Sequence, residues 1–205
     1  MEYMTFLKIM HLVGVMAGFG GALYTDYLMV TRGILRPLDS GTLSEIKRLT
    51  HFVTFGLFLL WISGVALTYE IIVSKPEFLT NDKFWAKVLI VCVLTVNGFF
   101  IHFYVLKEAE SSLNKRLLID SSLKAVIILA VSGSISFVSW VTPFILGKAP
   151  EFSYVVPFGL IVTLWLMAIM TSSAGVLMLV ALQDMWNAYK HSRNAIVPRI
   201  GGWVF

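Results

Sequence analysis

Five long apolar runs divide the chain, and each is long enough to cross a lipid bilayer as a helix. A membrane-spanning helix needs about 20 consecutive, mostly apolar residues. Short segments with charged residues, proline or asparagine separate the runs, and none is long enough to separate domains. The pattern predicts one all-α integral membrane domain over residues 1–205, with five transmembrane helices. We expect them at residues 5–30, 50–73, 84–106, 123–146 and 155–183.

The composition supports a bilayer environment. Hydrophobic residues make up 58% of the 205 residues and charged residues only 14%, whereas a soluble domain carries about 25% charged residues. This excludes most soluble enzymes and disordered chains. The net charge of +4 does not indicate a nucleic-acid partner, because no basic run alternates with aromatics on a polar face. The single cysteine, Cys92, excludes an intrachain disulfide and a cysteine-based metal site.

The distribution of lysine and arginine predicts the orientation. Eleven of these residues fall in the first loop, the third loop and the tail: Arg32, Arg36, Lys47, Arg48, Lys107, Lys115, Arg116, Lys124, Lys190, Arg193 and Arg199. Five fall on the other side: Lys8, Lys75, Lys83, Lys87 and Lys148. Cytoplasmic loops carry the excess of positive residues. We therefore expect a multi-pass protein of the cell inner (cytoplasmic) membrane, with the N-terminus outside and the C-terminus inside.

Two histidines are predicted to lie at a similar depth on adjacent helices. His51 begins the second span and His102 lies near the end of the third, so both belong near the cytoplasmic face. A bis-histidine b-type haem needs two imidazoles that face each other from neighbouring helices. Gly98, one turn before His102, leaves room for a macrocycle, and Arg48 is placed to pair with a propionate. The alternative is that both histidines are structural and bind water or neighbouring polar groups.

A third histidine, His11, lies near the outer face on a stripe of small residues. Gly14 and Gly18 follow it on the same side of the first helix. One interpretation is a groove for a flat ligand with His11 at its end, and with Lys87 at a similar depth as a propionate partner or axial nitrogen. The other is close helix–helix packing, for which a small-xxx-small motif is typical.

Short motifs in the first half of the chain resemble a loose superfamily of small membrane proteins. They run from Phe6 through His11 to Gly21, then over Trp61–Gly64 and Phe84–Lys87. The stretches are similar to HemJ-type protoporphyrinogen oxidases and to copper-resistance D domains. The resemblance implies a b-type haem on a helical bundle, with His11 as a haem ligand and Lys87 as an important residue.

These observations predict a membrane b-type cytochrome that binds one or two haems and transfers electrons. His51 and His102 would hold the inner iron, and His11 the outer one. A cytochrome of this kind is compatible with a quinone or another redox partner. It is also compatible with a homo-oligomer. The alternatives are a HemJ-like porphyrinogen oxidase, or a haem-free membrane subunit or copper-handling protein. No hydrolase or nucleotide-binding motif is present, and Asp26 and Glu70 lie at span ends.

Overall fold

The chain folds into a bundle of long helices. The computed structural model describes residues 2–33 and 36–200, with side chains for residues 3–32 and 36–193. The described residues form no strand. The helices are α1 (Glu2–Gly33), α2 (Ser40–Ser74), α3 (Asp82–Phe100), α4 (Leu106–Ser111), α5 (Leu123–Lys148) and α6 (Phe158–Ile200). A π-helical turn (Ile101–Val105) joins α3 to α4, and short 3-10 turns (Pro76–Thr80 and Pro150–Phe152) follow α2 and α5.

Five of the described segments are long and apolar enough to cross a bilayer. They are Tyr3–Arg32, Ser40–Ser74, Asp82–Ser111, Leu123–Lys148 and Phe158–Arg193. This confirms the all-α bundle and a multi-pass membrane protein. Most helix ends extend beyond the predicted spans, since hydropathy marks only the part that lies in hydrocarbon. The fifth span is the exception at its start, because its helix begins at Phe158 and not at residue 155.

Helix α2 shows why the predicted bounds were short. It begins at Ser40 instead of Thr50 because Asp39 caps it: the Asp39 carboxylate accepts a hydrogen bond from the backbone N–H of Thr42 at 2.7 Å. Helix α6 is longer than predicted at its C-terminal end, because it continues past Gln183 to Ile200. A polar segment is compatible with helix even where it is too polar for the bilayer.

The two ends of the bundle are distinguished by their connections. We call the end with the α1–α2 and α4–α5 connections the first-loop end, and the other the second-loop end. At the first-loop end the two connections bond to each other: Leu38 N–H donates to the Lys115 carbonyl, and Asn114 N–H donates to the Leu38 carbonyl. A buried cluster beneath them includes Ile46, Ala109 and Leu117.

Helix packing is uneven across the bundle. Helix α1 packs along α2, and α5 packs against α3 and α6. Ala22, Leu60, Leu94 and Trp140 form a buried cluster in which α1, α2, α3 and α5 meet. Helices α2 and α3 are not among the closely packed pairs.

Candidate functional site

His51 and His102 lie side by side at the first-loop end. Their ring centroids are 5.8 Å apart and the ring planes are nearly perpendicular, at 86°. His51 comes from α2 and His102 from the π turn, and both side chains are exposed at the bundle surface. The sequence predicted a similar depth for these two histidines, and in the structure their imidazoles lie next to each other.

The hydrogen bond of His51 determines which of its nitrogens is free. Its Nδ1 atom is 2.7 Å from the backbone carbonyl oxygen of Lys47, one turn earlier. A carbonyl only accepts hydrogen bonds, so Nδ1 carries the proton and donates. In the neutral ring Nε2 then has a free lone pair, which is the arrangement that metal-ligating histidines use.

His102 belongs to the one segment of π helix that the described residues contain. The backbone N–H of Leu106 donates to the carbonyl of Ile101, five residues back. A π turn inserts an extra residue into an α-helix and rotates the side chains that follow, and such turns are frequent at functional sites. Within the described chain, no hydrogen bond occupies the ring nitrogens of His102.

The backbone near His102 has open space at Gly98. A Cβ atom added at Gly98, one turn before His102, would meet nothing within 4 Å. Deeper in the bundle, Trp61 Nε1–H of α2 donates to Thr95 Oγ1 of α3 at 3.0 Å. Because α2 and α3 do not pack closely, this bond is a polar link between two separated helices.

Charged side chains surround the pair on its loop side. Lys47 Nζ and Glu110 Oε1 are 2.5 Å apart and join α2 to α4. Arg48 and Lys107 are exposed in the same region. The Lys47–Glu110 ion pair thus links the two segments that carry the histidines.

His11 lies toward the second-loop end in a separate environment. Its Nδ1 atom is 2.9 Å from Ser63 Oγ, and Ser63 Oγ in turn lies 2.6 Å from the Leu59 carbonyl. The Ser63 hydroxyl donates its hydrogen bond to the Leu59 carbonyl, so its oxygen accepts one from His11 Nδ1–H. His11 Nε2 is then left free. Lys87 interacts electrostatically with the half-buried His11 ring.

The glycines that follow His11 lie against protein. A Cβ at Gly14 would meet the Gly56 carbonyl at 3.0 Å, and a Cβ at Gly18 would run into the Trp140 ring. Of the two interpretations left open by the sequence, close helix packing is the one that these contacts support. Gly14 and Gly18 are therefore not part of the candidate ligand site.

Sequence reasoning missed a cavity at the first-loop end. It lies among α1, the π turn, α5 and α6, and Asp26 and Ser134 are among its lining residues. The sequence pattern indicates only that Asp26 lies at the end of a span. Its position inside an apolar run was the available signal, since an ionisable group in a membrane is a functional candidate.

The histidine pair has no third metal-ligating side chain beside it. Among the described residues, no group of three or more His, Cys, Asp or Glu side chains is placed to hold a metal ion. Comparison with protein-family models, curated proteins and solved structures finds no match to this chain.

Proposed function

We propose that this chain is an integral membrane b-type cytochrome that transfers electrons, with a haem held between His51 and His102. The observation that supports it is the 5.8 Å separation of the two rings. If each imidazole bound one shared metal ion at about 2 Å, the two ring centres would lie about 6 Å apart.

The number of protein ligands favours haem over a bare metal ion. A pair of histidines alone leaves a transition metal without most of its usual ligands, and within the described chain no third ligand joins the pair. A porphyrin supplies four nitrogens itself, so only two axial ligands are required of the protein. The open space at Gly98 suits a flat group.

The chain's own residues have defined roles in this proposal. His51, through its free Nε2, and His102 would hold the haem iron, and the Lys47 carbonyl fixes the His51 ring through Nδ1–H. Arg48 is the candidate partner for a propionate, because arginine pairs well with carboxylates. When bound, the haem supplies one-electron redox chemistry, and the protein adjusts the potential through its ligands and their burial.

A second haem at His11 is part of the same proposal. The Ser63 hydroxyl orients His11 and leaves Nε2 free, and Lys87 adds a positive charge beside it. Electron transfer across the membrane would then use one site at each end. The orientation from the basic residues places the His51–His102 site on the cytoplasmic side of the inner membrane.

The test is a spectrum combined with a metal analysis. The protein is purified in detergent from cells supplied with haem precursor, and haem, iron and copper are measured per mole of monodisperse protein. We expect a reduced-minus-oxidised spectrum of a low-spin b-type haem, with one or two haems per chain. Copper without haem would support a copper-handling protein instead, and a colourless, metal-free protein would contradict the proposal.

A further inference from the structure

A cavity of about 190 Å³ lies between α1, the π turn, α5 and α6. Most of its wall is apolar, formed by side chains such as Met29, Val105 and Leu129. Ligand sites typically combine an apolar wall with a few polar groups that fix orientation. The question is which polar groups this wall contains.

Two polar side chains in the wall have no partner. Asp26 Oδ2 and Ser134 Oγ are buried atoms without a hydrogen bond in the described structure, and Ser134 is only 3% exposed. Buried polar groups without partners are rare in folded proteins, because each loses its hydrogen bonds to water without gaining others. Together they offer a carboxyl acceptor and a hydroxyl to an occupant.

The cavity reaches the outer surface of the bundle. Val30 of α1 and Phe137 of α5 both line it, and they are 41% and 40% exposed. Both helices are long and apolar enough to cross a bilayer, so we expect their exposed side chains to meet lipid. A lipid-soluble molecule is therefore the kind of occupant that suits this opening.

The cavity also borders the candidate haem site. Ile101 and Val105, the first and last residues of the π turn, line it, and His102 belongs to the same turn. An occupant of the cavity would therefore contact the same helical turn that carries His102.

We infer that this cavity binds a lipid-soluble quinol, with a ring hydroxyl donating to Asp26 and a second polar contact at Ser134. The inference rests on the proposed function and identifies the place of its electron-carrying partner. A quinol combines an apolar ring and tail with two hydroxyls, which matches an apolar wall with two unpartnered polar atoms.

Binding is tested with decylubiquinol and with its di-O-methyl ether, which has the same shape but no hydroxyl donors. Dissociation constants are measured on the full chain in detergent by equilibrium dialysis. We expect the ether to bind about tenfold more weakly, because the hydrogen bond to the Asp26 carboxyl is lost and this buried group stays without a partner. Asp26→Leu should weaken quinol binding by a similar factor, and Ser134→Ala by less.

A pair of glycine variants tests the location. Gly133 lines the cavity and Gly147 lies further along α5, and a Cβ at either position meets nothing within 4 Å. Gly133→Leu should fill the cavity and abolish quinol binding, while Gly147→Leu should bind as the unaltered protein does. Both variants are compared only as monodisperse protein.

Three results would overturn the inference: no quinol binding, equal binding of quinol and ether, or full binding by Gly133→Leu. The first would show a cavity that holds only water. Haem content is measured in the same samples. Haem without quinol binding would refute the quinol site alone, whereas quinol binding without haem would refute the cytochrome proposal and leave the site intact.

Discussion

The imidazoles of His51 and His102 approach to 5.8 Å although they come from two helices that do not pack closely. On the loop side of the histidines, Lys47 and Glu110 form an ion pair between the same two segments. A site between two separated helices is open to a flat group, whereas a site between packed helices is closed to it.

The Ser63 hydroxyl should determine the tautomer of His11. Because Ser63 donates to the Leu59 carbonyl, the neutral His11 ring should carry its proton on Nδ1. Nitrogen-15 NMR of histidine-labelled, haem-free protein is the measurement. In Ser63→Ala the preference for the Nδ1–H form should fall. A His11 signal of the Nε2–H tautomer in the unaltered protein would contradict the assignment.

Two glycine-to-alanine changes should shift stability in opposite directions. A Cβ at Gly56 would press into the backbone of Gly18, whereas a Cβ at Gly20 would meet nothing within 4 Å. Gly56→Ala should destabilise the bundle by about 1–3 kcal/mol through overpacking. Gly20→Ala should be neutral or slightly stabilising, because alanine favours helix over glycine.

Thermal unfolding in detergent measures both variants, and haem per folded protein is followed alongside. If the glycine face only packs helices, haem content stays constant in each variant. Equal stability of Gly56→Ala and Gly20→Ala would show that the α1–α2 contact is looser than described.

The α2 cap should make stability depend on pH at the acid end. The backbone N–H of Thr42, and then its hydroxyl, lower the pKa of Asp39 below its usual value. The stabilisation by Asp39 is therefore complete above the unfolded-state pKa of about 3.9, and is lost as the pH falls through the lower folded-state pKa. Asp39→Ala should have a lower melting temperature near neutral pH, and the difference should shrink in acid. A difference that stays constant down to the acid end would contradict this.

The orientation is tested by fusion reporters. Eleven basic residues on one side against five on the other predict a C-terminus in the cytoplasm. A cytoplasm-specific reporter fused after Phe205 should be active, and one fused within the α2–α3 connection should be silent. The reverse pattern would invert the membrane sides assigned to the two histidine sites.

Much of the fold was accessible from the sequence, because a bilayer demands long apolar helices. The pairing of His51 with His102 followed from depth along adjacent spans. The π turn at His102 did not, since its hydrogen-bond register depends on how the third spanning segment packs. Gly14 and Gly18 were ambiguous because a small residue suits both a ligand groove and a helix contact.

The Asp26 cavity was inaccessible for a different reason. Its wall comes from five separate segments, so no spacing along the chain records it. The sequence placed Asp26 at a span end, and only the packing of α5 and α6 showed that its carboxyl oxygen is buried.

The most direct test of the cytochrome proposal is the haem spectrum of single histidine variants. The matched control is His191→Ala, because His191 is exposed on α6. His51→Ala and His102→Ala, each purified as monodisperse protein, should lose the low-spin signal of the site they share. His191→Ala should keep the full signal, and His11→Ala should lose only the part that a second haem contributes. If His51→Ala and His102→Ala both retain the complete low-spin spectrum, the two histidines do not ligate a haem and the proposal is wrong.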